Sequence, residues 1–399
     1  MVPFAVSRPF YRATGRTIEE LYEGFRISTY RRVEEQLAPV LARGLREGRR
    51  LTHDGRHASS PRFYPAGCAG ADDSGKRVLF YSRDDGHERA GIYRLEFTRS
   101  ESIATSPESI ATSPESPEST APSRATAPTS ESVESTAPSH ATAPTSESPV
   151  TAPRILTRAS GETASMARDC RLYFNSVAPS RRRYDFLDLF RLDAGVEAPS
   201  GVEAGRERLT VGRRAFAPDV APDGSSIVYV TNRAGTTTLR IARLLPDGSV
   251  TEERALVAGV RDEQVFTPRF SHDGKRVAYG TWTRGGYRDI RIVELTTGKV
   301  TELLHDRAVD QQPSFSPDDR RVYFSSDRSG ISNIYAYDLE TGVLRQITNV
   351  RIGAFMPEVS PDGKTLAYVG YGTRGFESLR TRARRSEGAR TPSGSRAAW

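Results

Sequence analysis

The sequence predicts an all-β fold: a six-bladed β-propeller of four-stranded antiparallel blades, with a short N-terminal helical segment and a disordered insertion. One theme recurs four times at near-constant spacing: Pro218-Asp-Val-Ala-Pro-Asp-Gly224, Pro268-Arg-Phe-Ser-His-Asp-Gly274, Pro313-Ser-Phe-Ser-Pro-Asp-Asp319 and Pro357-Glu-Val-Ser-Pro-Asp-Gly363. A period of about 45 residues belongs to stacked or radial architectures built from one supersecondary unit. Each copy continues through strand-like runs and turns in one order, and a Leu-Thr type ending marks the last run.

Within a copy, a short first strand such as Ser314 to Ser316 meets a Pro-Asp-Gly type turn, where proline presets φ and glycine tolerates the corner. The second strand alternates apolar and polar residues, as in Arg321-Val-Tyr-Phe-Ser-Ser326, Lys275-Arg-Val-Ala-Tyr279 and Lys364-Thr-Leu-Ala-Tyr-Val369. This is the period-two signal of a half-buried strand. Turns at Asp327-Arg-Ser-Gly330, Asn232-Arg-Ala-Gly235 and Thr283-Arg-Gly-Gly286 lead to third strands such as Asn333-Ile-Tyr-Ala-Tyr-Asp338 and Asp289-Ile-Arg-Ile-Val-Glu294. A turn at Gly248, Gly298 or Gly342 then leads to a fourth, and four antiparallel strands make a propeller blade.

The fourth-strand ending counts the blades. It appears at Leu51-Thr52, Leu156-Thr157, Leu209-Thr210 and Ile347-Thr348, with looser versions near Ala255-Leu-Val257 and Glu302-Leu-Leu304, which makes six. The first copy precedes every other strand and has no blade to finish. The last repeat has two clear strands, a third around Phe376 to Thr381, and no fourth. The N-terminal strand is therefore expected to complete the last blade and remove the open edges of an incomplete ring. The first two repeats are more degenerate: Pro61-Arg-Phe63 and Arg77-Val-Leu-Phe-Tyr-Ser82 flank an enlarged turn through Ala66 to Ser74. In the second, Arg171-Leu-Tyr-Phe-Asn-Ser176 and Phe186-Leu-Asp-Leu-Phe-Arg191 are strands, and Ala167-Arg-Asp-Cys170 replaces the Pro-Asp-Gly corner.

The propeller is expected over 49–98 and 154–380, about 280 of the 399 residues. Residues 1–48 read as helix: Thr17 and Glu20 form a capping-box signature, and Leu21, Phe25, Val33, Leu37, Val40 and Leu41 recur near helical spacing. Residues 99–153 lack aromatics and consist largely of Ser, Thr, Ala, Pro and Glu in repeated units. Such composition predicts disorder, inserted between the third and fourth strands of the first blade. Residues 381–399 read as a disordered basic tail. From Arg380 onward six arginines stand against one glutamate, which accounts for about five of the net charge of +7 and leaves the ring near neutral. The alternation stops abruptly there, as it would in sequence foreign to the last blade.

Chemistry-bearing motifs are scarce. No Gly-x-Ser-x-Gly elbow, His-Glu-x-x-His pair or glycine-rich phosphate loop occurs. His53, His57, His87, His140, His272 and His305 scatter over turns and linkers, and Asp54-Gly55 marks a turn between the first two, which argues against a helical metal pair. Asp223, Asp273, Asp318 and Asp362 are expected to cap turns by accepting backbone N–H bonds rather than to hold calcium. Cys68 and Cys170 are too few to support a disulfide framework or a zinc site. No segment approaches a transmembrane helix, and Met1-Val-Pro-Phe-Ala-Val lacks the basic start and apolar core of a secretory signal. No cofactor and no metal are expected.

The recurring Phe-Ser-Pro-Asp theme, with Val-Ala-Tyr, Ser-Asp-Arg-x-Gly and Ile-Tyr-x-x-Asp, resembles the propeller repeat of the TolB family and of related propellers in prolyl-oligopeptidase-type enzymes. The resemblance is clearest over 208–371. It implies a place in the cell envelope or periplasm. With a near-neutral ring, no spanning helix and loops of all blades gathered at one mouth, the expectation is a non-catalytic, monomeric scaffold that binds a protein or peptide partner, with no nucleic acid and no membrane insertion. The alternative is the propeller portion of a larger peptidase lacking its catalytic domain. Phe10-Tyr-Arg-Ala-Thr-Gly-Arg-Thr-Ile-Glu-Glu-Leu-Tyr22 resembles the helical end of a gluzincin-type metallopeptidase domain, whose zinc motif is not in this chain; that implies a piece of a longer ancestor. Repeat register places Thr267, Gln311, Gln312 and Met356 just before inner strands, as candidate binding positions at the channel mouth.

Overall fold

A computed structural model describes residues 7–53, 57–65, 67–68, 76–84, 86, 90–98, 153–161, 163–180, 184–193, 205–372 and 375–383. Six four-stranded antiparallel sheets are present among them. Blade 1 comprises His57–Phe63, Lys76–Asp84, Gly91–Thr98 and Arg154–Arg158; blade 2 comprises Ala164–Met166, Leu172–Ser180, Tyr184–Leu192 and Arg206–Arg208. Blade 3 runs Ala215–Val220, Ser226–Arg233, Thr236–Leu244 and Val250–Val257, and blade 4 runs Gln264–Phe270, Arg276–Trp282, Arg288–Glu294 and Val300–Glu302. Blade 5 holds Gln311–Phe315, Arg321–Ser326, Asn333–Asp338 and Leu344–Gln346. Blade 6 holds Ala354–Val359, Thr365–Gly372 and Gly375–Arg382, and its fourth strand is the N-terminal Arg49–Arg50.

Closure of the ring by that early strand is thus observed. Arg49 pairs with Arg380 and Arg50 with Leu379, and the Leu51 N–H donates to the Ser378 carbonyl at 2.8 Å. The last strand continues to Arg382, two residues past the expected end of the ring. The first blade's third and fourth strands pair across the predicted insertion, all of which lies outside the described residues except residue 153. The tail beyond 383, His87, His140 and most of the turn from 66 to 74 also lie outside them.

Burial is divided among blade interfaces. Six apolar clusters each join strands of two adjacent blades; Leu51 and Ala367 of blade 6, for example, pack against Phe63, Leu79, Tyr81 and Leu95 of blade 1. The aromatic of the Val-Ala-Tyr theme occupies one register in every second strand: Tyr81, Phe174, Tyr229, Tyr279, Phe324 and Tyr368 are all fully buried. Removing such rings from water is the main driving force that holds one blade against the next.

Two sequence signatures acquire a mechanism. The turn aspartates accept backbone N–H groups two residues on, Asp223 from Ser225 at 2.9 Å, Asp273 from Lys275 at 3.0 Å, Asp318 from Arg320 at 3.3 Å and Asp362 from Lys364 at 3.1 Å. The degenerate corner of blade 2 works alike, with Asp169 accepting from Arg171 and Cys170 holding the left-handed φ of +65° that glycine supplies elsewhere. The threonine of the Leu-Thr ending staples the fourth strand to the third. Its hydroxyl accepts an N–H from Leu189 (Thr210), Ile334 (Thr348) and Ser378 (Thr52), at 2.8 to 2.9 Å.

The N-terminal segment forms α1, Ser7–Thr14, and α2, Ile18–Ala42, the latter opened by the expected Thr17–Glu20 capping box. Its apolar residues do not gather on one face: Val40 is buried, while Phe25, Val33 and Leu41 are exposed. The helix meets the ring at its C-terminal end, where the Asn349 side-chain amide donates to the Val40 and Gly44 carbonyls at 2.8 Å each. The two cysteines correct the sequence reading. Cys68 of blade 1 and Cys170 of blade 2 form a disulfide with Cα atoms 5.4 Å apart, the Cys68 sulfur lying against the Ala167 carbonyl at the corner of blade 2. A separation of 102 residues hid that proximity.

Candidate functional site

Where inner strands converge on the axis, five of the six share one irregularity. Ser60, Ala217, Thr267, Gln312 and Met356 each have φ between 44° and 60°, each precedes a proline, and each sits in a register shift against the second strand. A non-glycine residue in this region is strained, and such strain clusters at bulges and functional sites. The bulge turns these residues toward the axis, where they line a cavity of about 40 Å³ together with Thr163 and Ala164 of blade 2. That volume admits a few waters and no peptide.

The predicted positions separate here. Thr267, Gln312 and Met356 line the axial cavity and lie within inner strands rather than before them. Gln311 is not among the lining residues; it pairs with Ser325 in the blade 5 ladder. The Gln312 side-chain oxygen accepts the Met356 N–H at 3.0 Å and the Ser325 hydroxyl at 2.9 Å, and the Met356 sulfur accepts the Ser60 N–H at 3.1 Å. These two side chains therefore link blades 5, 6 and 1.

Two residues further along each inner strand lies a layer that the sequence reading missed: Arg62, Ser165, Asp219, Arg269, Ser314 and Glu358, in blade order. Its four charges form one lattice across the axis. Arg62 donates to Asp219 at 2.6 Å and stands 3.5 Å from Glu358; Arg269 donates to Glu358 and stands 3.8 Å from Asp219. Ser165 and the Phe270 N–H complete Asp219 at 3.2 and 2.7 Å, and Ser314 donates to Glu358 at 3.2 Å. The Asp219 side chain is only 3 % exposed and that of Arg62 16 %. Burial opposes the Arg62 charge, but Asp219 and Glu358 outweigh it and raise its pKa. Burial and then the like charge of Arg62 pull Arg269 below its ordinary value. Guanidinium groups stay protonated in either case, so the lattice is two cations against two carboxylates, and it closes the axis. In five of the six repeats the layer is the residue after the inner-strand proline, a position the sequence marks without showing which of these residues meet.

Residues 205–391 match the TolB beta propeller domain. Over 89 residues the chain is 34% identical to the Tol-Pal system protein TolB of Francisella tularensis subsp. mediasiatica, which is 22% of this chain and 20% of that protein. It is 26% identical over 201 residues to an uncharacterized Agrobacterium fabrum protein, covering 48% of this chain and 62% of the other. The chain thus spans a fifth of the TolB relative's length. Among solved structures, a puromycin hydrolase variant superposes at TM-score 0.51 with 15% identity over 85% of this chain and 45% of that one. TolB from Acinetobacter baumannii superposes at 0.44 with 21% identity, over 53% of this chain and 50% of the other. At 15% identity the puromycin hydrolase likeness concerns the fold alone.

Proposed function

We propose that this chain is a non-catalytic propeller scaffold that binds a protein or peptide across the mouth of its ring, in the cell envelope. The observation that carries this reading is the sealed axis. A lattice joining Arg62, Asp219, Arg269 and Glu358 leaves no passage for a chain, so a ligand has the loop-lined rim on which to bury area. Thr267, Gln312 and Met356 would form the floor of that mouth. The TolB-type repeat over 205–391 supports the assignment, because the matched Francisella protein is named for the Tol-Pal system. The Cys68–Cys170 bridge supports an oxidising compartment such as the periplasm, since disulfides seldom persist in reducing cytosol. The rival reading, a propeller portion of a larger peptidase, draws on the puromycin hydrolase likeness and on the gluzincin-like look of residues 10–22. The closed axis counts against a ring that passes substrates through its centre.

Site-specific photo-crosslinking of the full chain in envelope extract tests the proposal. Exposed Arg261, in the loop that enters blade 4 on the Thr267 side, is expected to capture a partner; exposed Lys299, in a turn on the opposite rim, is not. Equal capture at both positions, or at neither, would refute mouth binding. Labelling of the purified chain by a fluorophosphonate would favour the peptidase reading instead.

A further inference from the structure

The threonine staple fails in blade 4, and a buried carboxylate is left behind. In blade 2, Asp188 receives four hydrogen bonds, from the Thr210 hydroxyl, the Arg213 N–H, the Gly212 N–H and the Arg208 guanidinium. In blade 5 the equivalent Asn333 receives the Thr348 hydroxyl and the Val350 N–H. Blade 4 has Asp289 at that position. The Leu303 N–H donates to the Ile290 carbonyl just as Ile347 does to Ile334 and Leu209 to Leu189, which puts Leu304 where those blades have threonine. Leucine offers no hydroxyl. Both side-chain oxygens of Asp289 consequently lack a hydrogen-bond partner although the side chain is 0 % exposed.

A buried, unpaired carboxylate is costly unless something cationic meets it. Two further ligand atoms face it: the His305 Nδ1 lies 3.5 Å from Asp289 Oδ2 and 3.6 Å from Glu302 Oε2, and the three residues' ligand atoms all fall within 4.8 Å of one another. Ligands on a tetrahedral ion at about 2.0–2.1 Å are separated by roughly 3.3–3.4 Å, close to the two spacings that His305 makes. Tyr287 stacks on the His305 ring with centroids 4.7 Å apart, which fixes its orientation. Arg291 occupies the other Glu302 oxygen at 3.0 Å and leaves Oε2 toward the cluster.

We propose that Asp289, Glu302 and His305 bind a divalent first-row transition ion of the zinc class on the flank of blade 4. Two carboxylates and one imidazole suit Zn²⁺ better than Ca²⁺, which takes six to eight oxygen ligands. A fourth position stays open to solvent, because His305 is more than half exposed.

Calorimetric titration of the full chain with ZnCl₂ alone, beside two variants, tests this. The wild type is expected to bind one equivalent more than His305→Ala, a change at an exposed residue that spares the fold. Leu304→Thr should restore the hydroxyl donor seen in blades 2 and 5 and weaken that site by at least about tenfold. Absence of zinc binding by the wild type, equal stoichiometry in His305→Ala, or unchanged affinity in Leu304→Thr would each overturn the assignment.

Discussion

Replacing Asp219 by alanine removes the hub of the axial lattice. Three donors lose their acceptor: the Arg62 guanidinium at 2.6 Å, the Phe270 N–H at 2.7 Å and the Ser165 hydroxyl at 3.2 Å. An orphaned buried donor costs about 1–3 kcal/mol, and breaking a buried ion pair from one side costs about 3–5 kcal/mol. Arg62 keeps Glu358 at 3.5 Å as a second counter-charge, so the lower ends apply: about 3 kcal/mol for the ion pair and about 1 kcal/mol for each of the other two donors, about 5 kcal/mol in all. A ring of this size loses roughly 2 °C of melting temperature per kcal/mol, which makes the expected drop about 10 °C. Differential scanning calorimetry of Asp219→Ala beside Glu340→Ala measures it. Glu340 pairs with Arg320 on the open surface, both more than 60 % exposed, and its loss should stay within about 0.5 kcal/mol. The double variant Arg62→Ala with Asp219→Ala should be less damaged than the sum of its parts, since no guanidinium is then stranded. Equal melting of the two single variants, or strict additivity in the cycle, would refute the lattice as a coupled unit.

Thr348→Val should cost about 1–3 kcal/mol in urea denaturation, because it strands the Ile334 N–H and one acceptor site of Asn333 while preserving shape. Replacing both Cys68 and Cys170 by serine should lower stability by about 2–4 kcal/mol, the usual effect of opening a bridge that spans 102 residues; unaltered unfolding would mean the bridge does not restrain blades 1 and 2. Acid sensitivity should track Asp362. Burial opposes its charge, yet Arg77, Ser360 and the Lys364 N–H hold its pKa down to about 2. A depressed carboxylate stabilises the fold above its unfolded value of about 3.9 and loses that contribution as pH falls through the folded value. The stability gap between wild type and Asp362→Asn should thus be about 1–2 kcal/mol at neutral pH, shrink below about pH 4 and vanish only below about pH 2. A gap independent of pH would rule out the Arg77 clasp.

What the sequence discloses is whatever recurs within one repeat. Leu51-Thr52 at the wrong end of the chain reveals ring closure because its fourth-strand signature is local, and Asp223 or Asp362 reveals a turn because its partner is two residues away. Contacts between repeats leave no such mark. Cys68 meets Cys170 across 102 residues and a long insertion, and neither flank announces the meeting. Arg62 finds Asp219 at a separation of 157 residues. Gln311 and Gln312 illustrate the limit of register alone: adjacent in sequence, they part at the bulge, one into the ladder and one onto the axis.

The axial layer repeats with half the ring as its unit. Blades 1 and 4 give Arg62 and Arg269, blades 2 and 5 give Ser165 and Ser314, and blades 3 and 6 give Asp219 and Glu358. Each acid faces both arginines, and each serine donates to the acid that follows it around the ring. Such an arrangement balances when the two halves of the ring correspond. Loss of any one of the four charged blades would strand a charge, and a shift of one blade between the halves would set arginine where an acid must be. Buried ion pairs often add little net stability over apolar packing, since desolvation offsets the attraction. Their effect at this axis is selective: any closure that leaves one of the four unpaired is penalised by several kcal/mol, which favours a six-bladed ring with a closed centre.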